Sequence, residues 1–322
     1  MSAQAGAQGV AGTYELEDGR ETVLVTVIVP ARDAGPNLRE LRNALLAQTL
    51  ARERFEVIVG DDGSADGSTL GLASTDGWLR VVRGPAGNPA AARNRAARLA
   101  RAPVLAFLDS DCRPEPGWLE SGLRALQQAD LVGGLVTPSV SGPPSVWTLL
   151  DLDLHVDQER AIRLGRALSG NLFLRRELFE RLGAFDETLA RTEDTELVRR
   201  ARRLAARLAF APAAVVRHPA HERAGPFLRK LWGTQAALGV RDARVGIRPR
   251  LATIGILPIV GMIRTRWREG RPLRVDPARL SAAGVRPSPA TELCALALLY
   301  VLVPVIAHLA RLSGWARGRR ET

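Results

Sequence analysis

From Val23 to Val136 the chain alternates short apolar, β-branched runs with stretches of helical spacing, and that alternation confines it to one broad architecture. Val23-Leu-Val-Thr-Val-Ile-Val29, ended by Pro30, is a continuous run of the kind found in strands covered on both faces. Pro36 to Thr49 then spaces Leu38, Leu41, Leu45 and Leu46 as one helical face. Phe55 to Gly60, Leu79 to Val82, Val104 to Leu108 and Leu131 to Val136 read as further strands, with Pro89 to Arg101 and Pro116 to Gln128 as helices between them. Strands alternating with helices build a mostly parallel sheet with helices on both faces. Ligands of such sheets sit at the carboxyl ends of the strands. Past Pro144 the pattern continues as helix (Val146 to Leu164), strand (Gly170 to Leu174), helices (Arg176 to Leu182 and Thr192 to Arg207) and extended chain (Leu208 to Ala211 and Ala214 to Arg217).

Two acidic clusters fall where that rule puts a ligand. Asp61-Asp62-Gly63-Ser64 follows the second strand and Asp109-Ser110-Asp111 the fourth. Alternating carboxylates in a D-x-D can reach one divalent cation, a hard ion that takes oxygen ligands and bridges phosphates. Each cluster also has a plain reading. The first is a turn whose acids cap the next helix, and the second a solvated turn. Thr192-Glu193-Asp194 is equally a helix N-terminus with Thr192 as cap and acids favoured by the dipole. Their order and their places on the elements argue for a single site.

These segments carry a resemblance. Val-Thr-Val-Ile-Val-Pro-Ala-Arg32, Val-Ile-Val-Gly-Asp-Asp-Gly-Ser64, Ala92-Arg93-Asn94, Phe107-Leu-Asp-Ser-Asp111, Ser169-Gly-Asn-Leu-Phe-Leu-Arg-Arg176, Gly183-Ala-Phe-Asp-Glu187 and Thr192-Glu-Asp194 follow one another as in family 2 glycosyltransferases. The match runs from about residue 24 to 218. The resemblance implies the nucleotide-sugar-binding α/β fold called GT-A. It also implies a UDP-, GDP- or dTDP-linked sugar donor, Mg²⁺ or Mn²⁺, and a single in-line displacement that inverts the anomeric centre. Asp61 or Asp62 would hold the nucleoside base, helped by Arg93, with Pro30 and Arg32 lining that pocket. Asp109 would contact ribose or metal, Asp111 would ligate the metal, Asp194 would be the general base, and Glu193 would orient base or acceptor. His218 is either a further metal or phosphate contact or a surface residue beside Pro219. Arg223, Arg229 and Lys230 are candidates to face the diphosphate. Polymerising members of the family carry Gln-x-x-Arg-Trp after the base motif. Gln235-Ala-Ala-Leu-Gly239 lacks it, which favours transfer of a single sugar.

Charge separates the chain into two parts. The first 216 residues carry 26 basic and 28 acidic side chains, whereas Arg217 to Thr322 carries 19 basic against 6 acidic. Lys230 is the only lysine. The basic part holds two apolar stretches flanked by arginines, Leu251 to Ile263 and Leu293 to Ala310. Basic charge beside apolar runs fits an anionic membrane better than a nucleic-acid groove. Leu251 to Ile263 is too short to span alone. A hairpin of both stretches would put the basic 264–289 loop outside, and a single span at 293–310 would export the basic tail. Helices lying at the cytosolic face are therefore expected, with two helices packed on the catalytic core as the alternative. The resulting division is a polar, disordered lead-in (1–22) without a signal sequence, a catalytic domain (23–220), and a basic C-terminal region (221–322) with helices near 251–263 and 293–310. Cys112 and Cys294 lack metal-ligand spacing and read as reduced, buried thiols. The expected acceptor is a glycan or lipid-linked molecule of the cell envelope. The rivals are a non-catalytic module binding nucleotide sugar and a nucleotidyltransferase, although Pro30 to Gly35 lacks the Gly-rich signature of the latter.

Overall fold

The computed structural model describes residues 23–154, 157–189, 191–244 and 277–320. The lead-in and the 251–263 stretch lie outside the described residues. One eight-stranded sheet organises the rest: β1 (Val25–Ala31), β2 (Phe55–Asp61), β3 (Leu79–Arg83), β4 (Val104–Leu108), β5 (Arg113–Pro114), β6 (Leu131–Ser139), β7 (Asn171–Arg175) and β8 (Leu208–Pro219), in the spatial order β3-β2-β1-β4-β7-β6-β8-β5. β3, β2, β1 and β4 are mutually parallel, and β6 and β8 are parallel to each other. β7 lies antiparallel between β4 and β6. Two features escape the sequence reading. The two-residue β5 pairs antiparallel with the end of β8, and the two extended pieces after Leu208 form one strand with a register shift at Gly134/Leu135 of its partner.

Helices cover both faces, as the uninterrupted apolar runs require. Val25, Val27 and Val29 of β1 pack with Leu38, Leu41 and Leu45 of α1 (Gly35–Leu46). Ile28 points the other way, to a cluster with Ala90 and Ala96 of α2 (Pro89–Ala97). Alternation of side chains across a strand produces this division. Further helices are α3 (Trp118–Ala125), α4 (Val146–Leu154), α5 (Gln158–Arg163), α6 (Arg176–Arg181) and α7 (Glu193–Arg203). The expected single helix from Val146 to Leu164 is therefore two, the second begun by Asp157, whose side chain accepts the Arg160 N–H.

The C-terminal region departs most from expectation. The sequence reading places no helix between 221 and 250, yet α8 runs 21 residues there (Ala224–Arg244). After α9 (Pro277–Ala282) the chain ends in α10 (Pro289–Gly318), 30 residues long with a π-turn at Leu298–Leu302. Phe227 and Leu231 pack with Leu299 and Val303, whereas Ala243 meets Gly318, so α8 and α10 run side by side in one direction. A Cβ at Gly314 would lie 1.9 Å from the Ala236 carbonyl oxygen, so the two backbones touch. α10 buries Ala295, Leu299, Val303 and Ala310 and exposes Leu293, Val301, Val305 and Leu309. It is long and apolar enough to associate with a membrane. Cys294, expected to be buried, is exposed on this helix, and Cys112 is buried.

Gly60 sets how α2 sits on the sheet. A Cβ there would lie 2.3 Å from the Ala92 carbonyl oxygen, so the helix rests directly on β2. Gly60→Val should destabilise the fold by about 1–3 kcal/mol through overpacking against backbone that cannot yield. Urea unfolding monitored by tryptophan fluorescence measures this, and an unchanged midpoint would contradict the close packing.

Candidate active site

The strand order brings distant segments to one edge. The carboxyl ends of β1, β2, β4, β6 and β8 lie together, and antiparallel β7 begins at the same edge, delivering Ser169 and Gly170 there. They frame a cleft of about 630 Å³ lined by Pro30, Arg32, Asp62, Arg93, Asp109, Asp111, Ser169, Arg191, Glu193, Asp194, His218 and Lys230, among others. Every residue singled out for the site is on that lining except Asp61, Arg223 and Arg229.

Asp61 is fully buried instead. Its carboxylate accepts the Ser64 N–H (2.8 Å) and the Thr69 hydroxyl (2.7 Å) and pairs with Arg83 (2.9 Å). Burial works against its charge, but these partners outweigh it and hold the carboxyl below its ordinary range. Asp61 thus shapes the loop after β2, in which no helix follows to be capped. Gly63, at φ +75°, turns the chain immediately after Asp62 in a conformation that favours glycine. Asp62 remains at the cleft: one oxygen accepts the Gly87 N–H (2.9 Å), and Arg32 lies 3.9 Å from the other.

Arg93 has a different task from the expected one. It is 4% exposed, with Nη2 donating to Asp109 (2.6 Å) and Nη1 to Glu193 (2.7 Å). Burial opposes the charge, yet Asp109 and Glu193 more than offset it and keep the guanidinium protonated. With both terminal nitrogens engaged, Arg93 joins the two acidic motifs. Asn94, next to it, anchors the loop before α7. Its amide donates to the Phe185 carbonyl (2.8 Å) and Glu187 (2.9 Å), and its oxygen accepts the Phe185 N–H (3.0 Å).

Thr192 does not cap α7. It adopts φ +74°, with no side-chain cap hydrogen bond. A β-branched residue in the left-handed region is strained, and such strain concentrates at functional sites. It starts the helix so that Glu193 and Asp194 both face inward. Asp194 is held from two sides, its Oδ1 accepting the Thr195 N–H (2.6 Å) and its Oδ2 the Ser169 N–H (3.2 Å). Burial, reinforced by the neighbouring Glu193 charge, pushes its carboxyl up to about 6. A carboxylate poised there can take a proton near neutral pH.

In the same cleft, His218 at the end of β8 places Nε2 3.7 Å from Asp111 Oδ2. Among the described residues no three acidic, His or Cys side chains converge as a ready metal cage. Asp111 with His218 nevertheless fits Mg²⁺ or Mn²⁺. Such an ion uses few protein ligands and completes its shell with water and substrate phosphates. Asp109 has one oxygen committed to Arg93 and is less available than expected. Sequence reasoning missed the buried Asp151, which fixes Lys230 at 2.9 Å, and Thr234 beside Arg191, both reached through α8. Only the solitary lysine offered a signal.

Comparison with known proteins agrees with this arrangement. The sequence pattern of the family described as Glycosyl transferase family 2 matches residues 26–183. Glycosyltransferase AglE of Haloferax volcanii is 30% identical over 204 residues, spanning 61% of this chain and 67% of that protein. Pre-mycofactocin glycosyltransferase of Mycobacterium tuberculosis is 32% identical over 235 residues, spanning 67% of this chain but 48% of its own length. Among solved structures, the mannosyltransferase PcManGT from Pyrobaculum calidifontis, in complex with GDP-Man and Mn²⁺, superposes with a TM-score of 0.55 at 20% identity over 92% of this chain and 86% of that one. GalNAc-T7 with UDP, GalNAc and Mn²⁺ gives 0.53 at 16% identity, over 77% and 55%. From its strand order to the identities it shares with AglE, the chain belongs to glycosyl transferase family 2 and is built on the GT-A fold.

Proposed function

We propose that the protein is an inverting transferase that moves one sugar from a nucleoside-diphosphate sugar to an acceptor hydroxyl. The observation that carries this reading is the gathering of two unlike groups in one cleft: Asp111 with His218, and the raised, buried Asp194. The relatives named as glycosyltransferases and the neighbours bound to UDP or GDP-Man support the donor class. Asp62, with Pro30 and Arg32, holds the nucleoside end, and Asp109, pinned by Arg93, offers its remaining oxygen to the ribose. Asp111 and His218 hold a divalent cation, which when bound neutralises the charge that grows on the departing diphosphate. Asp194 takes the proton of the acceptor hydroxyl as its oxygen attacks the anomeric carbon from the face opposite the leaving group. The bond to the diphosphate breaks in the same displacement, so the configuration inverts.

Release of a nucleoside diphosphate from UDP-, GDP- or dTDP-sugars, and not of pyrophosphate, tests the reaction class. Asp194→Asn should lower transfer on the order of 10²–10⁴-fold while nucleoside-diphosphate binding stays within about threefold. The base works only when ionised. Its raised carboxyl should therefore make wild-type activity fall as pH drops through about 6, a decline seen in a pH–rate profile. A profile flat to pH 5 would remove Asp194 from the role.

Asp111→Ala should abolish activity, and His218→Ala should raise the Mn²⁺ concentration needed for half-maximal rate, since each supplies one of few protein ligands. Full wild-type activity in EDTA would contradict the cation site.

We place the protein at the cytosolic face of the membrane, through the exposed apolar side of α10 and the arginines around it, with a membrane-borne glycan or lipid-linked acceptor. Each arginine near an anionic leaflet contributes about 1 kcal/mol, and the apolar face adds a contribution that salt does not screen. The full chain should float with anionic liposomes and stay bound in high salt. Val305→Glu with Leu309→Glu should release it, and retention by that variant would contradict the role of this face.

A further inference from the structure

We infer that Lys230 is a phosphate-binding residue of the cleft, its ammonium aimed by the buried carboxylate of Asp151 so that it takes an oxygen of the donor's diphosphate. The inference rests on the donor reading above and adds a contact from α8, beyond the segment matched by the family pattern.

The chain carries 44 arginines and this one lysine, so its basic positions default to guanidinium. Position 230 is where a guanidinium would not fit the partner. Asp151 gives one oxygen to Lys230 (2.9 Å) and the other to the backbone N–H of His221 (3.0 Å). No pair of oxygens is left for the two-pronged grip that makes arginine favourable beside a carboxylate. An ammonium needs one oxygen and keeps two further donors, and among the described residues these have no protein partner. Asp151 is fully buried, and although burial works against its charge, Lys230 and the His221 N–H keep it ionised. The lysine side chain is 30% exposed and lines the cleft, whereas Arg223 and Arg229 do not.

The charge of the cleft explains what the ammonium would do. Asp62, Asp109, Asp111, Glu193 and Asp194 bring five carboxyl groups to the lining; of the arginines there, Arg93 is spent on two of them, Arg32 lies 3.9 Å from Asp62, and Arg191 donates to Thr234. A diphosphate entering such a site needs positive charge that is not already neutralised. Lys230 shares the cleft lining with Asp111 and His218, the proposed cation ligands. Its partner Asp151 also holds the backbone N–H of His221, three residues after His218.

The test measures binding of UDP, GDP and dTDP, each beside uridine, guanosine and thymidine, by titration calorimetry with Mg²⁺. Lys230→Met alone leaves a buried, unpaired Asp151, so the informative variant is the double one, Lys230→Met with Asp151→Asn. It should weaken the best diphosphate about 10- to 100-fold and leave the parent nucleoside within about twofold, as expected for loss of a charge-assisted contact. Asp151→Asn alone should weaken the diphosphate less, again sparing the nucleoside, which a purely structural role would not do. Should the double variant fail to fold, Lys230→Arg decides by the same comparison, with several-fold weakening expected. Unchanged diphosphate affinity in a folded variant overturns the inference, as does an effect confined to the KM of an anionic acceptor. If no diphosphate binds the wild-type protein, the donor reading itself fails, an outcome distinct from the others.

Discussion

A single buried guanidinium holds the two halves of the site in register. Arg93 binds Asp109 of the D-x-D segment and Glu193 of the base motif, residues 84 positions apart in sequence. Breaking such a pair strands buried charge, which costs far more than the pair contributes when whole. Its value lies in specifying one arrangement: the loop after β4 and the N-terminus of α7 cannot move independently while both are tied to α2. Gly60 makes this possible by letting α2 rest on β2, and Asn94 extends the same hold to the loop at Phe185 to Glu187. Preorganisation of this kind is what lets fixed charges act on a reacting centre without rearranging first.

The antiparallel β7 is the second requirement. A wholly parallel sheet would send every strand start to the far edge. Reversing one strand brings Ser169 and Gly170 to the edge where β4 and β8 end. Ser169 then supplies an N–H to Asp194, so the proposed base is fixed by both the sheet and its own helix. Asn171, buried at the first position of β7, accepts from the Trp118 indole and donates to the carbonyls of Leu135 and Ala214, closing the irregular join between β6 and β8.

The C-terminal helices link the cleft to a surface. One side of α8 reaches the cleft through Lys230 and Thr234, and another packs against α10, whose far side is apolar and exposed. The two helices meet over small residues, Gly239 and Gly314 among them, so their backbones are in close contact.

The sheet and its edge were legible in the sequence because both are local. An unbroken β-branched run such as Val23 to Val29 can only be buried on both faces, and an acid placed just after such a run can only stand at the sheet's edge. Asp62, Asp109 and Asp111 were found for that reason, whereas Glu193 and Asp194, at a helix N-terminus, were found through the family resemblance; each lines the cleft. What sequence left open depended on side-chain direction and on long-range pairing. Asp61 and Asp62 are adjacent and chemically alike, and only the pleat, which turns successive residues to opposite sides, sends one into the core and one to the cleft. Nothing local marks Arg93 as spent on two carboxylates, since its partners come from other elements. The left-handed turn at Thr192 is a strain that the surrounding contacts impose against the residue's own preference. The helix at 224–244 was hidden because its glycines, Gly233 and Gly239, weaken an isolated helix, and Gly239 becomes favourable only where a second backbone presses against it. Residue type and local order thus determined the sheet and the class of chemistry at its edge. The tertiary structure alone decided which acids are exposed, which cations are still uncommitted, and how the last helices join the site, because each of those depends on neighbours far away in the chain.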